Sequence, residues 1–208
     1  AVVDYGQHGE GHGHPDKLGI VLYALGRELL VDPGRISYSV PEYKTWCRTT
    51  VAHNTVVIDG DDQSETTGIL RYFTNTAHYA AAIGFTDKAY RGYGLTRALV
   101  LSDWFLVDAF VVDGARTADI DLVMHVRGTM VTNGVALDSE TTPMGRKNGY
   151  QHMMQSWRLP GQPGRSFRFG QGGDKTLTVW MPDTAKVQLH GGTGIGYNLG
   201  DKVPFILR

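Results

Sequence analysis

The chain has a single cysteine, Cys47, among its 208 residues, which excludes an internal disulfide framework and any cysteine-based zinc knuckle. A metal centre in this chain has to be built from histidine and carboxylate. Charge of one sign is also missing: 20 Lys+Arg stand against 21 Asp+Glu. No global field therefore gathers nucleic acid or an acidic polymer, and an anionic ligand must be held by locally placed groups. Long apolar runs are absent, with nothing near the roughly 20 residues of a membrane span. The opening Ala-Val-Val-Asp-Tyr-Gly has no basic segment followed by an apolar one, so any export signal is expected to have been removed or to lie upstream. There is no internal repeat, and no convincing helix of more than three turns in the second half.

What is abundant is glycine, 27 residues, roughly twice the number expected at about 7% usage. They are scattered without period, as in a turn-rich fold. Short apolar runs lie between them: Asn54 to Ile58, His78 to Phe85, Thr96 to Leu101, Trp104 to Val112, Ile120 to Val126 and Leu177 to Met181. Their length, β-branched content and flanking turn residues predict strands, and Arg97 to Ser102 with Phe105 to Val112 predicts an antiparallel hairpin. The fold class is all-β, an antiparallel sandwich, read as one domain over residues 1–208. The chain begins inside what reads as a motif and ends on an unfinished strand, Val-Pro-Phe-Ile-Leu-Arg, as a piece of a longer polypeptide would.

Leu18 to Val31 suits either a helix or a hairpin. A helix would carry Asp32 about 24 Å from His14 at 1.5 Å per residue, whereas a hairpin turning near Gly26-Arg27 brings it back, and the hairpin is the expectation. Three histidines, His8, His12 and His14, fall within seven positions. In extended backbone His12 and His14 would share one side. His14, Asp32 and His53 are the nitrogen and oxygen donors that zinc takes, with a fourth position left open. An H-x-H pair alone is a weak signal, because most histidines are structural or surface residues. Asp16 is either a partner that orients a ligating imidazole or a turn residue. The run Gly6 to Gly13 lacks the Lys-Ser/Thr ending of a phosphate loop and is not read as one.

The order and spacing of Tyr5-Gly6, His12-Gly13-His14-Pro15-Asp16-Lys17-Leu18, Leu30-Val31-Asp32-Pro33-Gly34, Arg48-Thr49-Thr50-Val51-Ala52-His53-Asn54-Thr55-Val56 and Asp59-Gly60-Asp61-Asp62-Gln63 resemble the heparinase II/III-like polysaccharide lyases. The resemblance is strong over about the first 65 residues and only general later, as at Asp121 to Gly128. It implies an N-terminal helical toroid ahead of this β-sandwich, zinc on His14, Asp32 and His53, and His12 facing an anionic polysaccharide or oligosaccharide. An alginate-type substrate is the first expectation and heparin or heparan sulfate the second. A periplasmic or secreted location goes with such a substrate.

Uronate β-elimination needs the carboxylate neutralised, a base at C5 and an acid at the leaving oxygen. His12, Tyr38 and Tyr43 are the candidates for catalysis. Arg48, a possible bidentate partner for a uronate carboxylate, and Gln63 are the candidates for substrate binding. Against these stand ordinary roles: aromatic capping of the sandwich for the tyrosines and a strand-end ion pair for Arg48. His78, His125, His152 and His190 read as structural or surface residues. Two other classes compete, a zinc-stabilised carbohydrate-binding module and a zinc hydrolase. The second finds no H-E-x-x-H, and Glu10 is the one glutamate near the histidine pair.

Overall fold

The computed structural model describes residues 1–208 except Arg35, Asn133, Gly134, Ser139 and Ala185. Its strands in chain order begin with β1 (Val2–Val3), β2 (Ile20–Ala24), β3 (Arg27–Leu30), β4 (Val56–Ile58), β5 (Ile69–Asn75), β6 (Tyr79–Tyr90), β7 (Tyr93–Ser102) and β8 (Leu106–Gly114). They continue with β9 (Ile120–His125), β10 (Thr129–Val131), β11 (Thr142–Pro143), β12 (Met154–Pro160), β13 (Pro163–Gly170), β14 (Thr176–Asp183), β15 (Gln188–Ile195) and β16 (Lys202–Leu207). The sheets run β11-β12-β15-β16-β9-β4, β5-β6-β7-β8, β1-β2-β3 and β10-β13-β14. The pairings are antiparallel, so the all-β expectation is borne out.

The six-stranded sheet is covered on both faces. From β16, Ile206 enters one core with Leu30, Leu99, Trp157 and Phe169. Its neighbours Phe205 and Leu207 enter another with Trp46, Val51, Val57 and Val123. Strands buried on both sides read as unbroken apolar runs, which is why Val56-Val57-Ile58 and Phe205-Ile206-Leu207 show no alternation. The four-stranded sheet has one solvated face, and β8 alternates accordingly.

The hairpins follow their turn chemistry. Between β2 and β3, Leu25 and Gly26 both take positive φ, 55° and 82°, the requirement of the tight turn that matches strand twist. The hairpin expected over Leu18 to Val31 is therefore present, one residue earlier than foreseen. At the β7–β8 turn the Ser102 hydroxyl accepts from the backbone N–H of Trp104 and of Phe105, both at 3.2 Å. That turn leaves Trp104 92% exposed, so the strand expected from Trp104 starts at Leu106. β6 and β7 run longer than expected, and β16 lies between β15 and β9.

A fully buried charge ties the four-stranded sheet to the rest. Arg97 on β7 has no exposed surface and pairs with Asp108 of β8 through two bonds, Nε–Oδ1 at 2.9 Å and Nη2–Oδ2 at 2.5 Å. Its remaining nitrogen, Nη1, donates to the carbonyls of Leu18 at 2.6 Å and Asn54 at 2.5 Å. Two-pronged charge-assisted bonds fix direction as well as distance. Removing one partner of such a pair leaves a buried charge unmatched, at a cost of about 3–5 kcal/mol. Asp108→Ala is expected to lose that much stability in denaturant unfolding, and Asp108→Ala with Arg97→Met to recover a large part of it.

Candidate functional site

Three connecting segments, between β1 and β2, between β3 and β4 and between β15 and β16, come together in space. They enclose a pocket of about 520 Å³ lined by His12, His14, Asp32, Gly34, Tyr38, Tyr43 and Tyr197, within the size range of ligand sites. A second concavity along Ile36 to Ser39 shares Tyr38 with it.

His12 does not lie in extended backbone. It closes a single helical turn, Glu10–His12, because the His12 N–H donates to the Gly9 carbonyl at 3.0 Å. The alternation argument thus fails locally, yet the two histidines still line one pocket. His12 Nδ1 and the Tyr38 hydroxyl are 2.5 Å apart. Tyr38 packs on Tyr43 with ring centroids 4.5 Å apart. Tyr43 itself is 6% exposed, with its hydroxyl donating to the Gly11 carbonyl at 3.4 Å. Tyr38 presents its hydroxyl to the pocket, and Tyr43 supports it from beneath.

Tyr43 also begins a one-turn π-helix, Tyr43–Cys47. The Arg48 N–H reaches back to the Tyr43 carbonyl at 3.1 Å. The Cys47 carbonyl accepts a hydrogen bond from His53 Nε2 at 3.0 Å. A carbonyl only accepts, so Nε2 carries the hydrogen. Nδ1 then faces Asp32 Oδ2 at 2.7 Å and Asp16 Oδ2 at 3.9 Å. Burial lowers the His53 pKa, but the charge and hydrogen bond of Asp32, with Asp16 and the Cys47 carbonyl, outweigh burial and raise it to about 9. Burial raises the Asp32 carboxyl; the charge and hydrogen bond of His53, the Gly34 N–H and His14 reverse that and hold it at about 2. His14, 5.2 Å from His53 between ring centroids, is pushed down to about 4 by burial and by the His53 imidazolium. It is a neutral imidazole, the form that binds a cation. Burial is the main cause that lifts Asp16 to about 6.

The tightest set of donors among the described residues is His14, Asp16 and His53, whose ligand atoms lie within 4.8 Å of one another. Asp32 touches the set through His53. Asp16 is a turn residue, its carbonyl accepting the Gly19 N–H at 2.7 Å, and its carboxylate stands 3.9 Å from His53 Nδ1, beyond hydrogen-bond distance. Gly34 explains the Asp-Pro-Gly motif. Its φ is +63°, and a Cβ there would lie 2.4 Å from the Tyr197 ring. Its N–H holds Asp32 Oδ1 at 2.8 Å, leaving Oδ2 for His53.

The residues expected to touch substrate are placed differently. Arg48 pairs with Glu65 at 3.1 Å, and His8 approaches the same carboxylate at 3.4 Å. Gln63 is 4% exposed and donates to the Lys17 carbonyl at 3.2 Å, facing the interior and not the pocket. The Glu10 side chain lies outside the described residues. Tyr197 was not foreseen, since Gly-Ile-Gly-Tyr-Asn offers no local chemical signal.

Asn54 holds these loops together. Its amide nitrogen donates to the Ile20 carbonyl at 2.9 Å and the Val31 carbonyl at 3.0 Å, and its side-chain oxygen accepts the His125 N–H at 2.6 Å. His125 is buried, as a structural histidine would be, donating from Nε2 to the Val51 carbonyl at 2.9 Å. Burial is the chief cause that lowers it to about 4.

Residues 1–189 match the family described as heparinase II/III-like, C-terminal. An alginate lyase of Stenotrophomonas maltophilia is 31% identical over 188 residues, covering 76% of this chain and 25% of that protein. An exo-oligoalginate lyase of Saccharophagus degradans is 29% identical, covering 70% of this chain and 23% of that protein. The chain thus spans about a quarter of the length of these two relatives. A heparan sulfate lyase structure from Pedobacter heparinus superposes with a TM-score of 0.62 at 15% identity, covering 99% of this chain and 29% of that one. A heparinase III superposes at 0.57 and 16% identity, covering 99% of this chain and 31% of that one. At these identities the solved structures speak for the fold. Among the described residues no helix is long and apolar enough to cross a membrane.

Two outcomes are expected. Asn54→Ala leaves three buried backbone groups without partners, each at about 1–3 kcal/mol, so chemical denaturation should find a loss of several kcal/mol. His125 has a folded pKa below its unfolded value, so the unfolded chain takes up the proton first. Its contribution is complete above about 6.5 and is lost as pH falls toward 4. Replacing it with Gln should flatten that part of the stability–pH curve, and parallel curves for the two proteins would refute the assignment.

Proposed function

The chain belongs to the heparinase II/III-like family, and from that premise we propose that it is the β-sandwich part of a polysaccharide lyase that cleaves a uronate polymer by β-elimination. The single observation that carries this reading is the His12–Tyr38 couple, 2.5 Å between Nδ1 and the hydroxyl, opening into the same pocket as His14 and Asp32. An alginate-type substrate is favoured by the printed names of the two relatives, an alginate lyase and an exo-oligoalginate lyase; heparin or heparan sulfate is the alternative. The reading includes a helical toroid ahead of this region in the same polypeptide, and a periplasmic or secreted location.

In the proposed reaction the Tyr38 oxygen takes the C5 proton as its own proton passes to His12 Nδ1. The C5–H electron pair becomes the C4=C5 double bond, and the C4–O bond breaks. Tyr38 then passes that proton to the departing oxygen while His12 Nδ1 returns the first proton to Tyr38, so the proton lost at C5 ends on the new hydroxyl and both side chains are restored. A positioned acid–base group of this kind contributes about 10²–10⁴-fold. Tyr43 keeps Tyr38 in place through ring contact. Arg48 reaches a uronate carboxylate only by leaving Glu65, and Gln63 acts from behind by fixing the Lys17 backbone.

The donor set fits zinc. His14 is neutral, and His53 is held from behind by its Nε2–H bond to the Cys47 carbonyl, the arrangement typical of a ligating imidazole, so that Nδ1, which loses its proton when metal binds, faces the two carboxylates. In this reading His14, Asp32 and His53 hold the ion, with Asp16 beside them. When bound, zinc supplies a fixed positive charge to the cleft wall. Elimination needs no activated water, which sets this reading apart from a hydrolase.

The test separates the two histidines. In the full-length polypeptide, His12→Ala should keep its zinc and most of its thermal stability while losing turnover by on the order of 100-fold or more. His14→Ala should lose zinc and thermal stability together. Metal analysis, melting temperature and the ultraviolet absorbance of the unsaturated product on alginate and heparan sulfate oligosaccharides read all three. Loss of zinc from His12→Ala, or full activity in it, would overturn the division of roles.

A further inference from the structure

We propose that Tyr197 is a substrate-positioning residue, an aromatic platform on which a pyranose ring of the uronate chain stacks beside the His12–Tyr38 couple. The inference rests on the lyase reading for its substrate class. It stands on three observations of its own.

First, Tyr197 lies on the loop between β15 and β16, remote in sequence from the motifs, yet it lines the same pocket as His12, His14 and Tyr38. Second, the ring is half open, 51% exposed, although Trp46 and Trp157, which serve the core, are 1% exposed. An aromatic side chain whose task is packing buries its faces, while one that meets a ligand keeps a face free in a concave site. Third, the ring is seated and not adrift. It occupies the space above Gly34, where a Cβ would fall 2.4 Å from Cε2 and 2.7 Å from Cδ2. Gly34 is held at φ +63° and anchored to Asp32 by its N–H. The turn that shapes one wall of the pocket thereby gives the ring a close seat on one side.

A pyranose carries axial C–H groups on its faces and hydroxyls around its rim. The flat carbon face of tyrosine takes the first, and the pocket's hydroxyls and imidazoles take the second. Tyr38 and Tyr197 are thus given different tasks: the Tyr38 hydroxyl is engaged with His12, whereas Tyr197 contributes its face. Covering roughly 60 Å² of apolar surface in this way is worth roughly tenfold in affinity.

Tyr197→Ala, Tyr197→Phe and wild type are compared in the full-length polypeptide by calorimetric titration of an alginate tetrasaccharide at low temperature, by KM and kcat from product absorbance, and by melting temperature and zinc content. Tyr197→Ala should bind the tetrasaccharide about tenfold more weakly and raise KM by a similar factor, with kcat within about twofold and an unchanged melting temperature. Tyr197→Phe should match wild type, because the face and not the hydroxyl does the holding. Unchanged affinity in Tyr197→Ala overturns the proposal, and so does a joint fall in kcat, melting temperature and zinc, which would make the ring a support for the Asp32–Gly34 turn. If wild type makes no unsaturated product the lyase reading fails by itself. The titration then still decides the platform, since stacking needs no turnover, and a wild type that does not bind the tetrasaccharide overturns it.

Discussion

The site depends on one side chain that never enters it. Asn54 ties the backbone of β2, the segment after β3 and the end of β9 with three hydrogen bonds, and its own carbonyl receives Arg97 from the four-stranded sheet. An amide is the only side-chain type that donates twice and accepts on the other end. Aspartate would turn two donors into acceptors facing carbonyls, and leucine would strand all three groups. Because His53 precedes Asn54 in the chain, the knot also fixes where the imidazole starts. The buried pair Arg97–Asp108 extends the same logic to the neighbouring sheet. Buried side chains bonded to backbone groups are what tie the segments around the pocket together.

On that frame the charges are arranged against their own solvation. Two carboxylates, Asp16 and Asp32, lie against one buried imidazole, with Lys17 Nζ 3.6 Å from Asp16 and 2.5 Å from Asp4. Burial opposes the ionised forms of His53, Asp16 and Asp32, and Asp32 is compensated by its hydrogen bonds to His53 and the Gly34 N–H. The consequence is a separation of roles along a few ångströms: His53 charged, His14 neutral, Asp32 firmly ionised and Asp16 close to accepting a proton. Groups with pKa values pushed apart in one concave place are the usual mark of a functional site, though structural ion pairs share that property.

Much of this was legible in the sequence, and the reasons are specific. The β2–β3 hairpin could be inferred because only a return of the chain brings Asp32 to the histidines, and Leu25-Gly26 makes that turn. The apolar runs announced their strands, including the unalternating ones buried on both faces. What failed was inference from local geometry: the His12–His14 stretch was read as extended, and Gly9 instead closes a helical turn over it. Gln63 looked like a polar residue in a motif, and its amide is spent on the Lys17 backbone. Tyr197 was invisible for a different reason. It becomes part of the pocket only through pairing of β15 with β16, a tertiary event that leaves no trace near residue 197.

The motif glycines and asparagine then acquire a common explanation, which is not chemical reactivity. Gly34 is required because Tyr197 fills the space of its side chain, and Gly13 because a Cβ there would meet His8 Nε2 at 2.6 Å. Asn54 is required by three backbone groups. Around a handful of side chains able to carry out proton transfer or hold a cation, the remaining motif positions maintain close approach between loops. The hydroxyl of Tyr38 and the imidazole of His12 meet in this way without a long helix or strand beneath them. Precision in this pocket comes from side chains packed and hydrogen-bonded against backbone, with glycine where a ring must come close to it.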